Sequence, residues 1–145
     1  MDELNRTWVP RARGLLRIFV GLLFIEHGTA KLLHFPAVPM FESMDLFAEG
    51  QLLTMIGLSA LFELVGGILM LLGLLTRPVA FLLSGEMAVA YFSVHFPGSF
   101  FPILNEGELA VVYCFLFLYF AAVGGGAWSL DAALWGRRGE GSART

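Results

Sequence analysis

The sequence predicts an all-α fold, a membrane-spanning four-helix bundle with both termini in the cytoplasm. Of its 145 residues 57% are hydrophobic and 14% charged, with a mean hydropathy of +0.75, which is too apolar for an ordinary soluble domain. Four apolar segments each approach the ~20 residues that a bilayer-spanning helix needs. The basic residues flank one side of a path that crosses four times. We therefore expect a transmembrane domain at 14–128 between cytoplasmic segments at 1–13 and 129–145.

Each predicted span has recognisable boundaries. The spans run from Gly14 to His34, Leu52 to Leu75, Pro78 to Phe96 and Glu108 to Gly126. Thr76 is expected to cap the third helix, with Pro78 in its first turn, which makes the connection from the second helix an abrupt hairpin. Asn105 followed by Glu108 is a start signal for the fourth helix.

Charge sets the orientation of these spans. The cations of the expected cytoplasmic side are Arg6, Arg11, Arg13, Arg77, Arg137, Arg138 and Arg144. The outer loops contain no Lys or Arg, and their acids are Glu42, Asp45, Glu49 and Glu106. This is a positive-inside pattern, which predicts a multi-pass protein of the bacterial cytoplasmic (inner) membrane. In the first outer loop Phe41, Met44 and Phe47 recur at three-residue spacing, which predicts a short helix on the membrane interface.

Ionisable side chains inside the first span are candidate functional residues. At ~100° per residue, Arg17 and Lys31 share one stripe, His27 lies beside Lys31, and Glu26 faces roughly the other way. A charge at mid-bilayer costs ~2.5 to 3.5 kcal/mol on insertion scales, so these groups are expected to touch protein or a polar cavity. Because Arg17 and Lys31 lie near opposite ends of the span, snorkelling to the headgroups is the alternative for both.

Two further acids, Glu63 in the second span and Glu86 in the third, fall near the bilayer middle, with Glu26 somewhat further out. Each acid is either a neutral carboxylic acid hydrogen-bonded to a neighbouring helix or part of a shared polar pocket. In such a pocket Lys31 and His27 would face the acids and bind a polar head group or relay protons. The sequence favours the pocket, whose candidate residues are Arg17, Glu26, His27, Lys31, Glu63, Glu86 and His95.

Small residues predict close packing between the first two spans. Gly21 and Gly28 on the first span, and Gly66 and Gly67 on the second, make smooth faces that let helix backbones approach. Glu63 lies on the smooth face of the second span and is expected to point at another helix. Such faces also make a homo-oligomer feasible.

Motifs for metal, haem or nucleotide chemistry are absent from the sequence. His27, His34 and His95 follow no ligand spacing, and no HExxH or CxxCH is present, so neither a metal site nor a haem is predicted. The single cysteine, Cys114, has no CxxC partner for an internal dithiol relay. A net charge of -3 provides no basic field for nucleic acid, which we exclude as a partner.

Four stretches of the chain resemble the DoxX family of small four-helix bacterial membrane proteins. They are RIFVGLLFIEHGTAKL, ELVGGILMLLGLLTRP, YFSVHFPGSFFPILNEGELA and GGGAWSLD. The resemblance extends from about Arg17 to Asp131, and its most specific part is Arg17, Gly21, Gly28 and Lys31 with Glu63, Gly66 and Gly67. It implies a bundle related to the quinone-reducing subunit of thiosulfate:quinone oxidoreductases and to membrane partners of redox-protective enzymes.

Three functions fit these observations. The leading one is a subunit of a quinone-linked oxidoreductase that binds a quinone or similar lipophilic carrier, with Lys31, His27, Glu63 and Glu86 contacting or protonating its oxygens. Because the chain has no evident electron donor, this function requires a redox enzyme or accessory subunit as partner. The second is a non-enzymatic membrane scaffold that assembles other proteins. The third is a small proton-coupled permease, which would need an oligomer because four short helices leave little room for an aqueous path.

Overall fold

The computed structural model describes residues 3–135, and within them the chain is helical and contains no strand. In chain order the helices are α1 (Val9–Leu33), α2 (Pro39–Glu42), α3 (Met55–Leu72), α4 (Thr76–Ala90), α5 (Pro102–Asn105), α6 (Glu108–Val123) and α7 (Leu130–Trp135). A π-helical turn at Leu4–Trp8 leads into α1, and another at Tyr91–His95 continues α4. The all-α prediction is confirmed, and one long helix lies within or across each predicted span.

The starts of α4 and α6 are as predicted, but their capping residues are not. α4 begins at Thr76 with Pro78 in its first turn. The Thr76 hydroxyl does not cap that helix, because its Oγ1 is buried without a hydrogen bond. α6 begins at Glu108 with Gly107 as its N-cap, and the Asn105 side chain instead accepts a hydrogen bond from Gly107 N at 2.8 Å. Both helices therefore begin close to where the sequence indicated, without the side-chain caps that it predicted.

The helices differ in how well they fit a bilayer. Among the described residues, α3 is the helix whose length of 18 residues and apolar composition suffice for a crossing. α6 is apolar but has 16 residues. α1 is long enough but carries Arg11, Arg13, Arg17, Glu26 and Lys31. Length and composition thus support a membrane crossing by α3 directly.

Glycine brings α1 and α3 into backbone contact, as the small residues predicted. A Cβ atom on Gly28 would lie 2.6 Å from the backbone nitrogen of Leu64, and one on Gly67 would lie 2.7 Å from that of Ile25. A Cβ atom on Gly21 would approach the α3 backbone equally closely, at 2.6 Å. These distances are shorter than a side chain tolerates, so the spacing of the two helices depends on glycine.

The chain divides into two compact units. Within the described residues, 3–76 and 125–135 belong to the first unit, which contains α1 and α3, and 77–124 form the second. In the second unit the Ser84 hydroxyl donates to the Cys114 carbonyl at 2.8 Å and links α4 to α6. The predicted C-terminal segment at 129–145 starts with α7, which belongs to the first unit, and its residues from 136 onward lie outside the described part.

The prediction of an interfacial helix between α1 and α3 is wrong. The α-helical part of this segment is a single turn, α2. The anchor of this region is Leu46, which is buried in an apolar cluster with Leu32 and Ala60. Phe47, on the predicted apolar stripe, is exposed. The three-residue spacing suggested a helix, but burial of Leu46 against α1 and α3 determines the path of the chain instead.

Candidate functional site

A buried ion pair joins α1 to α3. The Lys31 ammonium lies 2.8 Å from Oε1 and 2.7 Å from Oε2 of Glu63, and it donates a hydrogen bond to Ser59 Oγ at 2.8 Å. The Lys31 side chain is 14% exposed and that of Glu63 5%. Lys31 is therefore not a snorkelling residue, because its charged end turns inward onto α3. Glu63 points at another helix, as its place beside Gly66 and Gly67 predicted.

The helix contact explains why these groups meet. Gly28 touches the backbone at Leu64, one turn before Lys31 on α1 and next to Glu63 on α3. Ser59 lies four residues before Glu63, which places both on one face of α3. The close approach that glycine permits therefore brings the ammonium within reach of both side chains.

The surroundings of the pair are apolar. The Phe41 ring centroid lies 5.9 Å from Lys31 Nζ, a cation–π distance. Leu32 is buried beside Lys31 in sequence, and Leu52 and Leu64 pack against the same cluster. A hydrogen bond of 2.9 Å between His34 Nε2 and the Met44 carbonyl tethers the segment that carries Phe41. Charges in such surroundings interact more strongly than in water.

The two carboxylate oxygens of Glu63 are not equivalent. Oε1 accepts a hydrogen bond from Lys31, whereas Oε2 is as close to the ammonium but accepts no hydrogen bond within the described residues. Both carboxylate oxygens therefore face the ammonium, Oε1 in a hydrogen bond and Oε2 in an ion-pair contact of 2.7 Å.

Arg17, on the same stripe of α1 as Lys31, has a different environment. Its side chain is 0% exposed, so the snorkelling alternative is wrong for this residue too. Nε donates to the Gly125 carbonyl at 3.1 Å, Nη2 to the Trp128 carbonyl at 2.9 Å, and Nη1 to the carbonyls of Met70 and Leu71. The guanidinium thus caps the C-terminal end of α3 and fixes the chain that follows α6. It takes no part in the Lys31–Glu63 pair.

Sequence reasoning missed Asp131, which completes the Arg17 region. Its carboxylate accepts hydrogen bonds from Leu75 N at 2.7 Å and Thr76 N at 2.8 Å, and its own N–H donates to the Gly73 carbonyl at 2.9 Å. Asp131 therefore caps α4 in place of Thr76. No local pattern predicts this, because the cap comes from more than fifty residues further along the chain.

Glu26 and His27 are exposed on α1 and do not join Lys31 and Glu63. Thr29 Oγ1 donates to the Glu26 carbonyl at 3.1 Å, and the His27 ring meets the Phe24 ring edge-on at 6.3 Å. The structure therefore leaves these two candidates on the outer surface of the first unit.

Glu86 and His95 belong to the second unit. Glu86 is half-buried on α4. The His95 Nδ1–H donates to the Asn105 carbonyl at 3.0 Å, and its ring stacks on Tyr91 at 6.5 Å. His95 is thus a hydrogen-bonding residue of the 91–107 connection. Within residues 3–135 no three His, Cys, Asp or Glu side chains are grouped closely enough to hold a metal ion.

The fold and site define an all-helical protein whose first two long helices share a buried ion pair. The chain belongs to the DoxX family, whose model matches residues 13–96. That match contains α1, α3 and α4, with Arg17, Lys31 and Glu63. DoxX proteins are membrane-associated, and the apolar α3 is consistent with this.

The chain is also similar to an uncharacterized protein of Haemophilus influenzae. The two are 48% identical over 134 residues, which is 90% of this chain and 96% of the relative. No solved structure matches the chain.

Proposed function

We propose that the chain is a multi-pass protein of the bacterial inner membrane, with α1, α3, α4 and α6 crossing the bilayer and both termini in the cytoplasm. The continuous helical stretch 76–95, formed by α4 and its π-helical turn, is about 30 Å long at ~1.5 Å per residue. The charges of α1 at Arg17 and Lys31 are satisfied inside the first unit. Its exposed side presents apolar side chains such as Phe19 and Leu22, together with Glu26 and His27 in the half of the helix that carries Lys31. With Arg17 and Lys31 turned inward, α1 is more compatible with lipid than its composition indicates.

The Lys31–Glu63–Ser59 cluster is the proposed binding site, and its ligand is the carbonyl head group of a lipophilic carrier such as a quinone. The observation that carries this proposal is the Lys31–Glu63 ion pair itself, which places an ammonium donor and a carboxylate together beside an apolar cluster. The Lys31 ammonium can donate to a carbonyl oxygen, and the Glu63 carboxylate can hold a proton for it. Reducing a quinone consumes two electrons and two protons, so a partner redox protein would supply the electrons.

The alternative to ligand binding is that the Lys31–Glu63 pair serves to stabilise the fold. The experiment must separate these two roles. A buried pair stabilises little compared with apolar packing of similar volume, whereas removing one partner costs ~3 to 5 kcal/mol. A single substitution would therefore confuse loss of fold with loss of binding. The double variant Lys31→Met/Glu63→Leu removes both charges together and leaves neither unpaired.

The experiment measures binding of a short-chain quinone analogue to the protein in mild detergent, together with thermal unfolding. We expect the double variant to keep its melting temperature and lose binding. Glu42→Gln, at an exposed acid of the segment before α3, is the matched control and should bind normally. A folded double variant that still binds the analogue would overturn the proposed site, as would a wild-type protein that neither binds the analogue nor releases a quinone on solvent extraction.

A membrane scaffold is the second candidate function, and the Arg17 region favours it. Four donors of this guanidinium are used by backbone carbonyls, so the buried charge holds α3 and the chain after α6 together. A scaffold requires a rigid frame of this kind. Co-purification of a stoichiometric protein partner with both the wild-type protein and the Lys31→Met/Glu63→Leu variant, together with no binding of the quinone analogue by the wild-type protein, would favour the scaffold over the quinone site.

A further inference from the structure

The connection from Tyr91 to Gly107, called the 91–107 segment, has an unusual surface. No Asp, Glu, Lys or Arg lies between Glu86 and Glu106. Its apolar side chains point outward instead of inward, and Phe100, Ile103 and Leu104 are 72%, 73% and 71% exposed. A water-facing loop normally has the opposite arrangement.

The polar groups of this segment are directed at one another. The Asn105 side chain donates to the Ser99 carbonyl at 2.8 Å and accepts from Gly107 N at 2.8 Å, while its carbonyl accepts from His95. The Phe101 N–H donates to Ser99 Oγ at 3.2 Å. Backbone N–H groups also donate to carbonyls of the same segment. They belong to Gly98, Leu104, Asn105 and Gly107. The connection therefore satisfies these polar groups without water.

Aromatic ring contacts follow one another along this segment from Phe92 to Phe101. Phe92 meets Phe96 at 5.7 Å, Phe96 meets Phe100 at 6.1 Å, and Phe100 meets Phe101 at 5.4 Å, all edge-on. The exposed apolar surface continues onto α4, where Val89 is exposed, and onto α6 at Leu109. The segment is thus continuous with the lipid-facing surface that the proposed function assigns to this unit.

We infer that the 91–107 segment is inserted into the hydrocarbon of the outer leaflet instead of lying in water. This inference rests on the proposed membrane crossing. Backbone that enters hydrocarbon must satisfy its own N–H and C=O groups, and the polar groups described above are bonded within the segment. The exposed side chains from 96 to 104 are apolar, and the exposed carboxylate of Glu106 lies at the end next to α6. A protein partner is a poorer fit, because protein interfaces surround their apolar centre with groups that bond across the interface. The segment before α3, with Glu42, Asp45 and Glu49, lacks this character.

The test places nitroxide labels on single cysteines in a Cys114→Ala background, in vesicles of phosphatidylethanolamine and phosphatidylglycerol. Ile103→Cys reports on the segment, Val65→Cys on the exposed face of α3, and Glu49→Cys on the acidic segment before α3. Power saturation compares collisions with oxygen, which partitions into lipid, and with a water-soluble nickel chelate. We expect the labels at 103 and 65 to collide mainly with oxygen, and the label at 49 mainly with nickel.

The outcomes separate the inference from the proposed function. A label at 103 that collides with nickel, beside one at 65 that collides with oxygen, would overturn the insertion and leave the membrane crossing intact. Protection of position 103 from both reagents would mean that protein, such as a second copy, covers the segment, and would also overturn it. Nickel collisions at position 65 would overturn the membrane crossing itself.

Discussion

Arg17 and Lys31 lie on one stripe of α1 and are used in opposite ways. Arg17 is fully buried and all four of its described acceptors are backbone carbonyls, which can neither ionise nor change rotamer. Lys31 keeps some exposure and contacts two side chains, one of which is a titratable acid. The first arrangement fixes geometry, whereas the second can exchange protons and partners. In this chain a buried cation is therefore a candidate functional group only where its partners can change protonation or rotamer.

The largest effect is expected from Arg17→Met. It removes the guanidinium donors from the carbonyls of Met70, Leu71, Gly125 and Trp128, of which Met70 still accepts from Gly73 N. The cost is about 1–3 kcal/mol for each carbonyl left without a donor where water does not reach. We expect the protein to lose its cooperative thermal transition in detergent, followed by circular dichroism. Arg17→Lys should rescue little, because an ammonium cannot reproduce the planar fork of donors. A normal transition in both variants would contradict the assigned role.

Lys31→Met should have the next largest effect, because it leaves the Glu63 carboxylate buried and unpaired. We expect a loss of ~3 to 5 kcal/mol in the free energy of unfolding. Adding Glu63→Leu should restore most of that loss, which denaturant unfolding in detergent would measure. If the double variant is as unstable as Lys31→Met, the pair is not the origin of the effect.

Gly28→Ala tests whether backbone contact sets the geometry of the pair. The new Cβ would lie 2.6 Å from Leu64 N, and we expect a loss of about 1–3 kcal/mol from overpacking together with weaker analogue binding. Gly85→Ala is the control, because no atom lies within 4 Å of its added Cβ, and this helical position should be neutral or slightly stabilised. Equal losses in the two variants would contradict a specific contact at Gly28.

The smallest effect is expected from Asp131→Ala, which removes a cap from the Arg17 region without touching the guanidinium's acceptors. Leu75 N and Thr76 N lose their acceptor, at a cost of about 0.5–2 kcal/mol. Thermal unfolding should show a small decrease, with analogue binding at Lys31 unchanged. Lost analogue binding at an unchanged melting temperature would show that the two regions are not independent.

Prediction from sequence succeeded for the long helices and their glycine contact. It failed for the partners of Arg17 and the cap of α4, which come from far along the chain, and also for two local signals, the capping signal at Asn105 and the helix expected at Phe41 to Phe47. The long helices, the glycine contact and the inward direction of Glu63 follow from hydrophobic periodicity and residue size. The structure brings only some of the residues predicted to line the pocket together, because Glu26 and His27 remain exposed. The same helical stripe describes Arg17 and Lys31 equally well, and nothing in it reveals that one bonds to carbonyls and the other to a carboxylate.

The sequence by itself determined the helical class, the close approach of α1 to α3 and the need to shelter charges in apolar helices. These depend on composition and on the fixed periodicity of an α-helix. The tertiary structure alone decided which partner each charge received, because acceptors such as Gly125, Trp128 and Ser59 reach their cations only when distant parts of the chain pack together.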